Sequence, residues 1–160
     1  MKRDSTIFLQ AVILLVGIGT LAGLIWEPLV EGRNVRATLF EIYFKDPFLA
    51  YVYIAFIPFF VALYQAFKLF GNIRQDKVFS LNSARALRTI KHCALTTAGF
   101  IAGAEAYLFI VQRGKDDIAG GVAVGLFIIF VSVVIAAAAD VFEVILRSAI
   151  DKKSGNDLMV

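Results

Sequence analysis

The sequence predicts an all-α membrane protein: a four-transmembrane-helix antiparallel bundle with both termini cytoplasmic. The first observation is composition, since 59% of the 160 residues are hydrophobic, whereas soluble domains average about 45–50%. The second is that the apolar residues concentrate in four segments, 7–26, 48–70, 92–111 and 119–146. Each reaches the roughly 20 residues that a helix needs to cross a bilayer. The third is an uneven distribution of Lys and Arg between the connecting segments.

The first segment, 7–26, resembles a signal peptide in position but not in detail. Its apolar run is longer than the roughly 7–15 residues typical of a signal-peptide core. No small-residue cleavage site follows "GLIWEP". The sequence therefore predicts a retained first transmembrane helix.

The loop between the first two spans, 27–47, contains the stretch "NVRATLFEIYF". Val35, Leu39 and Ile42 recur at helical spacing, which predicts a short amphipathic helix. Such a helix can lie on the outer membrane surface or cover an outward-facing site as a lid. Both alternatives stay open at this point.

The loop between the second and third spans, 71–91, predicts a helix that begins at Ser80 or Asn82 and continues into the third span. Arg85, Arg88 and Lys91 recur on one face at steps of three residues. This basic face suits contact with anionic lipid headgroups. The alternative is a docking surface for a cytoplasmic protein, shared with Asp157 and Leu158 of the tail, 147–160.

The distribution of basic residues predicts the orientation of the chain. Eleven of the sixteen Lys and Arg residues belong to the amino terminus, the 71–91 side and the tail, and five belong to the other two connections. Loops rich in Lys and Arg stay in the cytoplasm. The sequence therefore predicts that both termini lie in the cytoplasm.

The stretch "GAEAYLF" places Glu105 within the third apolar segment. At 100° per residue, Glu105 shares its helix face with Ala94, Ala98 and Ala102, and small residues mark close helix packing in lipid. Glu105 should therefore face the bundle interior. It can donate a hydrogen bond as a neutral acid, serve as a proton- or cation-binding group, or contact another subunit.

Other polar side chains also fall on the inward faces of the predicted helices. Glu143 and Arg147 have the spacing of a helical ion pair. Gln10 on the first span, Gln65 on the second and Asp140 on the fourth lie at a depth similar to that of Glu143. Because lipid offers no hydrogen-bond partners, the sequence predicts one polar cavity, open to the cytoplasm, among these residues.

Several kinds of chemistry lack their signatures in this chain. With one Cys and one His, the chain can form neither a disulfide framework nor a zinc cluster. It also lacks a phosphate-binding glycine loop and a serine-nucleophile elbow. We expect no enzymatic activity, no cofactor, no metal and no direct contact with nucleic acid.

Four stretches resemble the DUF2975 family of bacterial membrane proteins: "MKRDSTIFLQAVILLVGI", "IPFFVALYQAFKLF", "VFSLNSARALRTIKHCALT" and "AIDKKSGNDLMV". The last departs from the family ending at Gly155 and Met159, where Glu and Thr are usual. The resemblance implies four membrane helices but no biochemical function. It also implies a partner, because members are often encoded near a small helix-turn-helix regulator.

These observations favour a non-enzymatic membrane sensor or anchor that contacts a cytoplasmic regulator. The alternative is a small ion- or proton-linked carrier or channel subunit that uses Glu105 and the Asp140/Glu143 cluster. Transporters usually contain more spans or internal repeats. A carrier of this size would therefore have to assemble as a homo-oligomer in the bilayer.

Overall fold

The computed structural model describes residues 3–30, 34, 36–112, 114 and 118–159. Several residues used in the sequence-based predictions lie outside these ranges. They are Lys2, Arg33, Val35, Arg113, Lys115 and Val160.

The described chain is helical, and no strand occurs in these ranges. The elements are α1 (Arg3–Val30), α2 (Leu39–Phe44), α3 (Pro47–Arg74), α4 (Leu81–Tyr107), a π-helical turn (Leu108–Gln112) and α5 (Ala119–Asp157). Four helical stretches, α1, α3, α4 with its π-turn, and α5, are long and apolar enough to cross a membrane. This confirms the predicted helical class and the four candidate spans.

The long helices extend beyond the apolar segments that predicted them. The 71–91 loop shrinks to residues 75–80, and the predicted tail continues α5 as far as Asp157. A polar side chain caps the start of α4. Ser80 Oγ accepts a hydrogen bond from the Ser83 backbone N–H at 3.2 Å, so Ser80 rather than Asn82 is the N-cap of α4.

Two further caps fix the connection between α1 and α3. Thr38 caps α2, and its backbone N–H donates back to Glu41 Oε2 at 3.0 Å, which completes a capping box. Asp46 caps α3 by accepting from the Phe48 N–H at 2.9 Å. The short helix that the sequence predicted in the 27–47 loop is therefore confirmed.

Helix α4 is the centre of the packing. It packs most extensively against α5 and next against α3, while α1 packs mainly on α3. Phe48 stacks on Tyr107 near one end of α4, and Asn72 donates to Ser83 near the other. We call these the α2 end and the turn end.

Small residues line the interface between α4 and α5. The buried ones include Ala94, Ala98 and Ala104 on α4 and Ala136 and Ala139 on α5. Small side chains allow close helix approach, which favours association in lipid. The predicted inward face is confirmed for Ala94 and Ala98, but Ala102 is exposed.

Large apolar side chains cover much of the remaining surface. On α1, Phe8, Leu15, Ile18 and Trp26 are each at least 65% exposed. An uninterrupted apolar surface of this kind is unfavourable in water, whereas hydrocarbon accommodates it. The same chemistry explains why α1 can pack mainly on α3.

Candidate functional site

The six polar residues predicted to form one intramembrane site are divided among three places. Glu105 lies at the α2 end. Gln10 lies on α1, where it bonds to α3, and Gln65 lies on α3 beside α4. Asp140, Glu143 and Arg147 belong to ion pairs on α5.

Glu105 faces the bundle interior, as the sequence predicted. It is 7% exposed, and its side chain lies against Gly125 of α5, where an added Cβ would overlap the carboxyl group. No hydrogen-bond partner for the buried Oε2 atom occurs in the described part of the chain. A buried polar atom without a partner destabilises the folded state. Binding of a proton or a ligand to this carboxyl group would relieve that cost.

A cavity of about 590 Å³ adjoins Glu105 between the four long helices at the α2 end. Glu105 and Ile101 contribute from α4, and Thr20, Gly23 and Glu27 contribute from α1. The remaining lining residues are Leu24, Phe48, Leu49, Val52, Phe56, Ala104, Leu108, Gly120, Gly121, Val124, Gly125 and Ile128. The cavity walls are therefore mainly apolar, with a buried carboxyl group at one side.

Glu143 holds α4 and α5 together near the turn end. Its Oε1 atom accepts from Arg88 Nε and from Arg147 Nε, both at 2.9 Å. The Glu143 side chain is only 5% exposed, whereas Arg88 is 55% exposed. The predicted Glu143–Arg147 pair is present, but Arg88, placed on a basic contact surface by the sequence, also packs against α5.

Lys91 makes a second ion pair between the same helices. Its Nζ lies 2.7 Å from Asp140 Oδ1, and Asp140 is 53% exposed. Lys91 was also expected on the basic contact surface. The ion pair joins Lys91 to α5 and leaves Asp140 on the exposed side of that helix.

Gln65 lines a polar groove of about 320 Å³ between α3 and α4 at the turn end. Its other lining residues are Lys68, Asn72, Asn82, Arg85, Ala86 and Thr89. Arg85 and Thr89 of this groove lie on a different face of α4 from Lys91, the partner of Asp140. The single shared cavity predicted for Gln65 and Asp140 is therefore wrong, because α4 lies between them.

Gln10 fastens α1 to α3 instead of lining that groove. Its Nε2 donates to the backbone oxygen of Phe67 at 3.1 Å, and the side chain is 9% exposed. At the carboxyl end, Asp157 closes α5, and Leu158 is 86% exposed. The tail residues therefore stand away from the packed helices.

Sequence reasoning missed two features of these sites. It assigned Glu27 to a loop, although Glu27 lies on α1 and lines the cavity beside Glu105. A signal was available, because Thr20 and Glu27 are seven residues apart and share a helix face. The Lys91–Asp140 pair had no such signal, since it joins two helices whose relative position the sequence alone does not fix.

Comparisons with known proteins match the chain to a family and to a membrane protein. The family described as "Protein of unknown function (DUF2975)" matches residues 35–160. The chain is 46% identical over 162 aligned residues to the uncharacterized membrane protein YoaS of Bacillus subtilis (strain 168), covering the full length of both chains. No solved structure matches the chain.

Proposed function

For this chain, which belongs to the DUF2975 family of proteins of unknown function, we propose the role of a non-enzymatic membrane sensor or anchor. It binds a cytoplasmic protein at its turn end, where Arg85 lies in a polar groove without an ion-pair partner among the described residues. Its four spans run antiparallel in the bacterial cytoplasmic membrane, and both termini are cytoplasmic.

The charges at the two ends support this orientation. Nine described basic residues lie at the turn end or beyond it: Lys68, Arg74, Lys77, Arg85, Arg88, Lys91, Arg147, Lys152 and Lys153. Arg36 and Lys45 lie in the described part of the α2 end. Basic residues near the ends of spans are retained in the cytoplasm, which supports the proposal that the turn end lies inside the cell.

The ion pairs narrow the proposed docking surface. Arg88 and Lys91 already neutralise Glu143 and Asp140. Arg85 instead lines the groove together with Lys68, whose ammonium lies 5.4 Å from the Tyr64 ring centroid. A groove with unpaired cations and amide side chains suits an acidic peptide segment, because charge complementarity guides association.

The partner that the family resemblance suggests is a small helix-turn-helix regulator, which would contact DNA in place of this chain. Leu158 and Met159, 86% and 85% exposed, offer an apolar contact just beyond the carboxyl end of α5. The protein would then hold the regulator at the membrane and release it in response to a signal.

Copurification with the regulator encoded beside the gene tests this proposal. We expect Arg85→Glu to reduce recovery by about tenfold or more, as loss of a charge-assisted contact does. Lys77→Glu is the matched control, because Lys77 is exposed, lies in the turn that precedes α4 and does not line the groove. Equal recovery with wild type and Arg85→Glu would contradict docking at this groove.

Cysteine labelling of intact cells tests the orientation separately. In a Cys93→Ser background, a membrane-impermeant maleimide should label Lys45→Cys at once. It should label Lys77→Cys only after permeabilisation. The reverse pattern would place the turn end outside and remove the proposed docking surface from the cytoplasm.

A second candidate is the ion- or proton-linked carrier subunit, and the buried Glu105 carboxyl group without a partner favours it. Polar groups inside membranes often mark transport pathways. Purified protein in liposomes should then carry a flux under a proton or cation gradient, and Glu105→Gln should abolish it. If wild type carried no flux under any imposed gradient, the carrier hypothesis would be rejected.

A further inference from the structure

We propose that the cavity at the α2 end binds an organic primary or secondary ammonium ion with an apolar tail, and that Glu105 is its anionic anchor. The inference requires neither docking at the turn end nor transport, because it concerns occupancy of the cavity alone.

The first argument is the state of the carboxyl group. Glu105 is more than nine-tenths buried, lines the cavity, and leaves Oε2 without a hydrogen-bond partner among the described residues. The described basic side chains nearest in sequence, Lys91 and Arg88, pair with α5 at the opposite end. A donor for Glu105 must therefore come from outside the described chain.

The second argument is the space around it. The cavity, about 590 Å³ in volume, falls within the roughly 300–1,000 Å³ typical of small-molecule pockets. Gly121 and Gly125 form part of the α5 wall, and a Cβ at position 125 would take the place of the carboxyl group. The absence of side chains at these two positions leaves room for both the carboxyl group and a ligand.

The third argument is the chemistry of the walls. Phe48 and Phe56 present aromatic surface, which attracts organic cations as well as apolar groups. Leu49, Ile101 and Ile128 add apolar surface for a hydrocarbon tail. A single buried carboxyl group in such surroundings matches an ammonium head on an apolar tail, with N–H groups that donate to Glu105.

Other ligand classes fit this arrangement less well. A divalent metal ion needs several oxygen or nitrogen ligands, and the described residues hold no group of three His, Cys, Asp or Glu side chains that could bind one. An anion would be repelled by Glu105 and by the exposed Glu27 at the same cavity. A neutral lipid chain would fill the space but would leave the carboxyl group without a partner.

Titration calorimetry of the protein in phosphatidylcholine nanodiscs tests the proposal, with the heat of empty nanodiscs subtracted. The probes are octylammonium, octyltrimethylammonium and octan-1-ol, which share the same chain. The second keeps the charge without an N–H donor, and the third has no charge. The variants are Glu105→Gln and, as a matched loss of one carboxylate, the exposed Asp151→Asn.

We expect wild type to bind octylammonium at least about tenfold more tightly than either other probe, since a charge-assisted hydrogen bond contributes about 1.5–3 kcal/mol. Glu105→Gln should remove that preference and leave octan-1-ol binding unchanged. Asp151→Asn should behave as wild type.

Equal affinity of wild type for octylammonium and octan-1-ol would overturn the proposal and indicate an apolar pocket beside a neutral carboxyl group. Equal affinity for octylammonium and octyltrimethylammonium would overturn the proposal that the ligand donates a hydrogen bond to Glu105. If Glu105→Gln does not fold, the affinities of wild type for the three probes still test the proposal.

Discussion

The carboxyl group of Glu105 on α4 occupies the place where any residue other than glycine at position 125 of α5 would put its Cβ atom. Glu105 and the side-chain-free position at Gly125 therefore fit together across the interface between α4 and α5. Gly125 is buried together with Glu105. This contact sets how near α5 can approach α4 at the α2 end.

Replacement of Gly125 by alanine should destabilise the protein by about 1–3 kcal/mol, the usual cost of overpacking a tight interface. The matched control is Gly120→Ala on the same helix, because a Cβ there meets nothing within 4 Å. Unfolding in mixed micelles with increasing denaturing detergent measures both variants.

The cost at Gly125 should depend on Glu105. In Gly125→Ala combined with Glu105→Ala the clash is removed, so the double variant should lose less than the sum of the single losses. Additive losses would show that the two residues are not in contact.

Replacement of Glu143 by glutamine should cost about 1–3 kcal/mol of stability, because it keeps an acceptor oxygen but removes the negative charge that pairs with two arginines at a buried position. Asp140→Asn is the matched control, since Asp140 is 53% exposed and exposed pairs contribute about 0–1 kcal/mol. The same detergent titration measures both. A larger loss for Asp140→Asn would contradict the assignment of Glu143 as the main polar link between α4 and α5.

Asp76 in the turn between α3 and α4 has a φ of 55°, a left-handed backbone conformation. Asp tolerates this region better than most residues, and β-branched residues tolerate it poorly. We expect Asp76→Gly to be neutral or stabilising and Asp76→Val to cost about 1–2 kcal/mol. Thermal unfolding would measure this, with Lys77→Val as the control at a neighbouring exposed position; equal losses at both positions would contradict the backbone explanation.

The capping box of α2 should weaken in acid. The Thr38 backbone N–H, together with Lys45 and the Thr38 hydroxyl, holds the pKa of Glu41 below its usual range. Because the pKa of Glu41 is lower in the folded state, the stability that its carboxylate gives to α2 is complete above the unfolded pKa of about 4.3. It is lost as the pH falls through the lower folded value.

Amide hydrogen exchange of residues 41–45, corrected for intrinsic rates, should therefore show less protection near pH 3 than at pH 6. The Glu41→Gln variant keeps an acceptor for the Thr38 N–H but does not titrate in this range. Its protection should be independent of pH. An equal acid-induced loss in Glu41→Gln would assign the effect to another group.

The sequence alone determined the elements and some of the inward-facing residues, although Ala102 and Asp140, both predicted on inward faces, are exposed. Hydrocarbon thickness fixes the length of a span, so four apolar segments were sufficient to predict α1, α3, α4 and α5. Helical periodicity placed Glu105 and Glu143 on packed faces, and both are buried. Spacing along one helix also predicted the Glu143–Arg147 pair, because both residues belong to the same rigid element.

Only the tertiary structure decided which inward-facing residues meet. Depth and helix face place Gln65 and Asp140 at the same level, but neither quantity specifies the order of the helices around the bundle. Because α4 packs between α3 and α5, Gln65 lines a groove with Arg85, Asp140 pairs with Lys91, and Glu105 adjoins the cavity with Glu27. Contacts between helices depend on their lateral arrangement, which a one-dimensional pattern of polar and apolar residues does not contain.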